Sequence, residues 1–148
     1  MNRSIWFIKM LNATNEREKT RYKYTLSNMG KEQQIVNNLL RDVLPHGSGF
    51  DFEWKLTVQY KRIRKYDCIP YAIHCYSFLH CMNENGFYDG VIPFTVVLPY
   101  NGEHISNDYK LVAHNWKSYT TKKYWPRYLD YVQDTIYSTL PSNMDTTK

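Results

Sequence analysis

The sequence predicts a single α+β domain, an antiparallel β-sheet with two helices packed against it. Three observations carry this expectation. β-Branched and aromatic runs between Trp54 and Leu98 are divided by turn-forming residues, and two other stretches repeat apolar residues at helical spacing. No linker, internal repeat or low-complexity block interrupts the chain, whose 148 residues suit one domain with a core large enough to need no disulfide staple. The domain is expected over residues 1–140, with 141–148 as a flexible C-terminal tail.

The elements follow in order. Residues 4–11 are apolar and β-prone, residues 12–19 are polar, and Arg21-Tyr22-Lys23-Tyr24 alternates cations with rings, which together predict a β-hairpin. Ser27 or Asn28 can cap a helix from about Gly30 to Val43, where Ile35, Val36, Leu39, Leu40 and Val43 share one stripe. Pro45 and Gly47-Ser48-Gly49 end it. Trp54–Tyr60 and Tyr71–Cys81 read as strands. Asn83-Glu84-Asn85-Gly86 supplies a hairpin turn, since Asn and Gly tolerate positive φ, and Phe87–Leu98 returns as the next strand. Pro93 has no N–H to give a ladder, so that strand is expected at the sheet edge or bulged there. After a turn at Tyr100-Asn101-Gly102, Tyr109–Trp116 predicts a further strand. Pro126 then suits the first turn of a closing helix with Leu129, Val132, Ile136 and Leu140 on one face, Tyr128 and Tyr131 flanking, and Pro141 as its stop.

Composition narrows the setting. Rings make up 16% of the chain, including 14 Tyr and 4 Trp, which predicts an aromatic core and aromatic contact surfaces. Cys68, Cys75 and Cys81 are an odd set in a chain too long for a disulfide scaffold, and predict reduced thiols in a cytoplasm. The apolar run Ile5-Trp6-Phe7-Ile8 is broken by Lys9, too early for a signal peptide, and no stretch reaches the roughly 18 apolar residues of a membrane span. Asn12-Ala13-Thr14 matches a glycosylation sequon, which matters only in a secreted protein. Nineteen Lys and Arg against fourteen Asp and Glu give a net charge of +5, a field that attracts nucleic acid, nucleotides or an acidic protein face.

Familiar catalytic patterns fail on spacing. His74-Cys75 and His80-Cys81, with Cys68 before them, are soft zinc ligands, but on an extended strand the two histidines stand roughly 20 Å apart. His46-Gly47-Ser48-Gly49 resembles a phosphate loop only in its glycines, because it leaves a helix C-terminus rather than entering an N-terminus. Ser48 with His46 and Asp51 lacks the strand-turn-helix setting of a nucleophile elbow. Carboxylates at Asp51, Glu53, Glu84 and Asp89 could serve acid–base work only if the fold converged them. No cofactor and no metal is expected.

Two basic–aromatic clusters are the clearest surface features. Lys61, Arg62, Arg64 and Lys65 lie between Tyr60 and Tyr66 in a strand connection. Lys117, Tyr119, Lys122, Lys123, Tyr124, Trp125 and Arg127 form a second cluster without an acidic residue. Cations neutralise phosphate while rings stack bases, so both clusters are expected to bind an anionic partner: nucleic acid, a nucleotide or an acidic protein. Self-association into a homo-oligomer is compatible with this composition. The competing expectation is a hydrolase of nucleic acid or another substrate, built on His46, Asp51, His74, Glu84 and Asp89; a third is a virion assembly protein.

Leu44-Pro45-His46-Gly47-Ser48-Gly49-Phe50-Asp51 with Trp54, and His80-Cys81-Met82-Asn83-Glu84-Asn85-Gly86-Phe87-Tyr88-Asp89-Gly90, resemble segments of small uncharacterised proteins of bacterial phages and mobile elements. The resemblance runs from the Gly30–Val43 helix to Leu98. It implies an accessory protein of the bacterial cytoplasm that acts stoichiometrically, by occupying a host nuclease or defence component or by sequestering its nucleotide signal. It brings no site residues with it.

Overall fold

The computed structural model describes residues 3–45, 53–140 and 144–145, and begins with two helices where the sequence predicts a hairpin. α1 spans Arg3–Leu11 and α2 spans Glu16–Leu40. Two local causes overturn the hairpin. The Asn15 side chain accepts the Glu18 backbone N–H at 2.8 Å as the N-cap of α2, with Glu16 and Glu18 in the first turn where the helix dipole favours carboxylates. Tyr22, Leu26, Met29, Val36 and Leu40 then bury one continuous helical stripe. The alternating cations and rings at Arg21–Tyr24 are a short cut across that stripe: Tyr22 is buried, whereas Tyr24 is 71% exposed. The predicted Gly30–Val43 helix is the second half of α2. Trp6, with no exposed surface, fastens α1 with its ring centroid 6.1 Å from Tyr22, and Arg3 Nε–H donates to the Leu26 carbonyl at 3.2 Å.

β1 (Lys55–Arg62), β2 (Cys68–Met82), β3 (Tyr88–Pro99) and β5 (Lys110–Ala113) form an antiparallel sheet in that order. The β2–β3 turn is the one the sequence predicts: Asn83 donates to the Phe87 carbonyl at 2.8 Å, and Gly86 takes φ +81°. Pro93 sits in an interior strand rather than at an edge. Its carbonyl accepts the His114 N–H at 2.8 Å, so its nitrogen also faces the β5 side, just past the end of the β3–β5 ladder, and the β2 ladder needs no N–H from it. A bulge between Cys81 and Met82 places Asp89 outside the register opposite β2.

α3 spans Tyr119–Thr139 and starts earlier than predicted, because Ser118 caps it by accepting the Thr121 N–H at 3.2 Å. Pro126 lies inside the helix, where its missing N–H removes the bond to the Lys122 carbonyl. Val132, Ile136 and Leu140 of the predicted stripe are buried. β4 (His104–Ile105) pairs with β6 (Met144–Asp145), so part of the predicted tail is paired; residues 141–143 and 146–148 lie outside the described residues.

The three helices and the antiparallel sheet make an α+β fold. All three helices feed one core with Val58, Ile73, Cys75, Leu79, Ile92, Phe94, Val96 and Leu98 from the sheet. No helix among the described residues is long and apolar enough to cross a membrane.

Candidate functional site

Side chains alternate across a strand, and β2 shows what this does to the sheet. Ile73, Cys75, Ser77, Leu79 and Cys81 are buried under the helices, so His74, Tyr76, Phe78 and His80 stand on the opposite face. The registers extend that open face sideways. Thr57 lies opposite His74 and Lys55 opposite Tyr76 on β1; Val97 and Thr95 take the same rows on β3; Lys110 and Val112 take them on β5. None of these residues belongs to the core cluster.

The middle of this face is a cavity of about 420 Å³ lined by Lys55, Thr57, Gln59, His74, Tyr76, Thr95 and His114. Every described lining side chain carries a hydrogen-bond donor or can be protonated to one, and none of them is a carboxylate. Thr95 Oγ1 and His114 Nε2 are 2.6 Å apart, which fixes the imidazole, and the His114 ring centroid is 5.6 Å from that of Tyr76. Half-burial holds the His74 imidazole below its ordinary value of 6.5, since a charged ring loses solvation there. The cavity therefore offers the Lys55 ammonium, two imidazoles, three hydroxyls and the Gln59 amide to an anion. A larger cavity, about 510 Å³, is lined by Asn37, Arg41, Glu53 and Trp54 among others, but it mixes acid with base and borders residues outside the described ones.

The two predicted clusters do not converge. Lys61 and Arg62 end β1 and Arg64, Lys65 and Tyr66 lie in the β1–β2 turn, whereas Tyr119, Lys122, Lys123, Tyr124, Trp125 and Arg127 begin α3, beside Met82 and Asp89 at the far end of β2. The 15 residues of β2 separate them by about 50 Å. In the first cluster Tyr66 is half-buried against Tyr22, with centroids 5.0 Å apart, and its hydroxyl donates to Glu18 at 3.2 Å. Lys65 pairs with the same carboxylate at 3.0 Å. Lys61, Arg62 and Arg64 are exposed and form no ion pair among the described residues, and Lys61 continues the open face along β1.

In the second cluster Tyr124 and Trp125 are core residues rather than surface rings. Trp125 packs 6.4 Å from Phe94, and the Tyr124 hydroxyl donates to Asp89. Tyr119 is 73% exposed, with Lys123 over its ring at 5.4 Å. Lys122 and Arg127 are exposed, and Arg127 lies over Tyr128.

Of the residues of the hydrolase expectation, His46 and Asp51 lie outside the described residues, Glu84 is exposed in the β2–β3 turn, and Asp89 is taken by Tyr124 and Lys123. Of the three described ones, only His74 lines the cavity. Cys75 and Cys81 face the core while His74 and His80 face away from it, so the His-Cys pairs are split between two sides of β2. Compared with protein-family models, curated proteins and solved structures, the chain matches none.

Sequence reasoning misses Lys55, Thr57, Gln59, Tyr76, Thr95 and His114. One signal is present: along β2 the residues alternating with the core set are rings instead of the polar side chains a solvated face carries.

Proposed function

We propose that this protein is a non-enzymatic, stoichiometric binder of an anionic partner, which it takes on the open face of the sheet. The cavity around Lys55, His74 and His114, with no carboxylate among its described lining residues, is the observation that carries this reading. A surface that gathers donors and cations and excludes acids favours phosphate or carboxylate over any cation. Lys61 and Lys110 extend the positive character to both sides of the sheet, and Arg62 at the end of β1 and Arg64 in the turn add long-range attraction. Neither Glu84, in the β2–β3 turn, nor Asp89, bonded to Tyr124, joins His74 at the cavity, which favours binding over turnover. The resemblance of the middle of the chain to phage accessory proteins supports a stoichiometric role in the bacterial cytoplasm, against a host defence protein, a nucleic acid or a nucleotide signal.

Titration with inorganic polyphosphate and with a labelled oligonucleotide across a salt series tests the reading. A variant carrying Lys55→Gln, Lys61→Gln and Lys110→Gln should bind more weakly, with the slope of log affinity against log salt reduced by roughly 0.7–0.9 for each phosphate that is no longer neutralised. Absence of saturable binding to either anion at low salt removes the proposal.

A further inference from the structure

We infer that the anionic partner is single-stranded nucleic acid, lying along β2 with its bases against the rings of the open face; this rests on that face being the binding surface. His74, Tyr76, Phe78 and His80 occupy successive same-side positions of β2, so their rungs repeat about every 6.8 Å. The rings fall in two contacting groups along one strip. Tyr76 and Phe78 are 5.1 Å apart edge to face, His114 is 5.6 Å from Tyr76, and His80 is 5.8 Å from Tyr88 at the far end. Tyr88 is 62% exposed, and Tyr76 and Phe78 are partly exposed and outside the core cluster.

Charge is arranged beside the strip rather than in it. Lys55 and Lys61 line the β1 side and Lys110 the β5 side, while the strip itself carries only imidazoles and uncharged rings. Rings between flanking cations suit a chain whose bases are uncovered and whose phosphates run alongside, which is how sheet surfaces hold single strands. A duplex keeps its bases stacked inside and presents phosphates alone, so it leaves the rings unused. An acidic protein likewise matches the lysines but not the strip. From His74 to His80 the strip is about 20 Å long, more than one mononucleotide covers.

Fluorescence anisotropy distinguishes the cases, using a labelled single-stranded RNA, a single-stranded DNA of the same sequence, the corresponding duplex, and inorganic polyphosphate as competitor. At least one single strand should bind about tenfold or more tightly than the duplex, and the RNA–DNA difference identifies the preferred sugar. Tyr76→Leu and Phe78→Leu keep apolar bulk and remove stacking. Each should weaken single-strand binding by about fivefold or more while leaving the salt slope unchanged, with circular dichroism confirming the fold. Equal binding of strand, duplex and polyphosphate, or silent leucine variants, overturns the inference and leaves an anion-binding face in place. No binding by any of these probes overturns both.

Discussion

Gln33 stands against Val58 as a neighbouring strand would. Its Oε1 accepts the Val58 N–H at 2.9 Å, and its Nε2–H donates to the Leu56 carbonyl at 3.0 Å, so one side-chain amide satisfies a donor and an acceptor on the free side of β1. β1 is an edge of the sheet, and unpaired edge groups invite pairing with a second chain. A polar residue of α2 thus closes part of an edge that the sheet leaves open.

Gln33→Ala should expose both groups. The expected destabilisation is about 1–3 kcal/mol in denaturant unfolding, from two hydrogen bonds that water replaces only partly, together with concentration-dependent self-association in sedimentation velocity. A variant with an unchanged midpoint that stays as monomeric as the parent would show that solvent serves this edge as well as the amide does.

His74 gives the stability a pH dependence of known sign. Burial lowers its folded value, so as pH falls through about 6.5 the unfolded chain takes up the proton first and the folded state loses stability on the acid side. The slope from this one group cannot exceed about 1.4 kcal/mol per pH unit. Denaturant midpoints at a series of pH values should show it, and His74→Gln should flatten it. A bound anion favours the imidazolium, so anion affinity should rise over the same interval in the parent and not in His74→Gln.

Ser77 is fully buried on the core side of β2 opposite Phe94, and its hydroxyl has no hydrogen-bond partner among the described residues. Leaving a hydroxyl unpaired in a dry core costs about 1–3 kcal/mol. Ser77→Ala should therefore be neutral or stabilising in thermal unfolding, and a clear fall in Tm would reveal a partner for this oxygen in solution.

The thiols should react in an order set by burial. Cys75 and Cys81 have no exposed surface, and burial pushes the half-buried Cys68 thiol up to about 11. Alkylation near neutral pH, followed by peptide mass spectrometry, should label Cys68 slowly and the other two only after denaturation. Rapid native labelling of Cys75 would mean that β2 opens far more readily than its position between two long ladders implies.

Local chemistry is readable from the sequence and remote placement is not. Asn83 to Gly86 specify their turn through residues in contact with one another, and the stripe of α3 is visible once Val132, Ile136 and Leu140 are counted. The start of α2 misleads because four alternating residues weigh little against a stripe from Tyr22 to Leu40, and Asn15 with Glu18 is the cap that decides it. Pro126 misleads because proline at a first turn is the common case, whereas Ser118 already closes the helix upstream. The cavity needs Lys55, His74 and Thr95 on three strands to meet His114 just after β5, and only the pairing of the strands brings them together. Tyr124 and Trp125 look like surface rings because their neighbours are cations; the helix turns those cations outward and the rings inward.

The four-stranded sheet holds its strands in the order of synthesis, with β4 as the only detour. Each ladder closes a short loop onto the strand made just before it, so assembly can proceed outward from one hairpin with little search. Protection lags behind. α2 precedes the sheet and is ready to cover the β1 side, but the β3 and β5 side waits for α3, which follows it in the chain. A nascent chain paused after Ala113 has a finished ladder with Phe94 still lacking the Trp125 ring that packs on it, and apolar surface bared in this way makes a folding intermediate prone to aggregate.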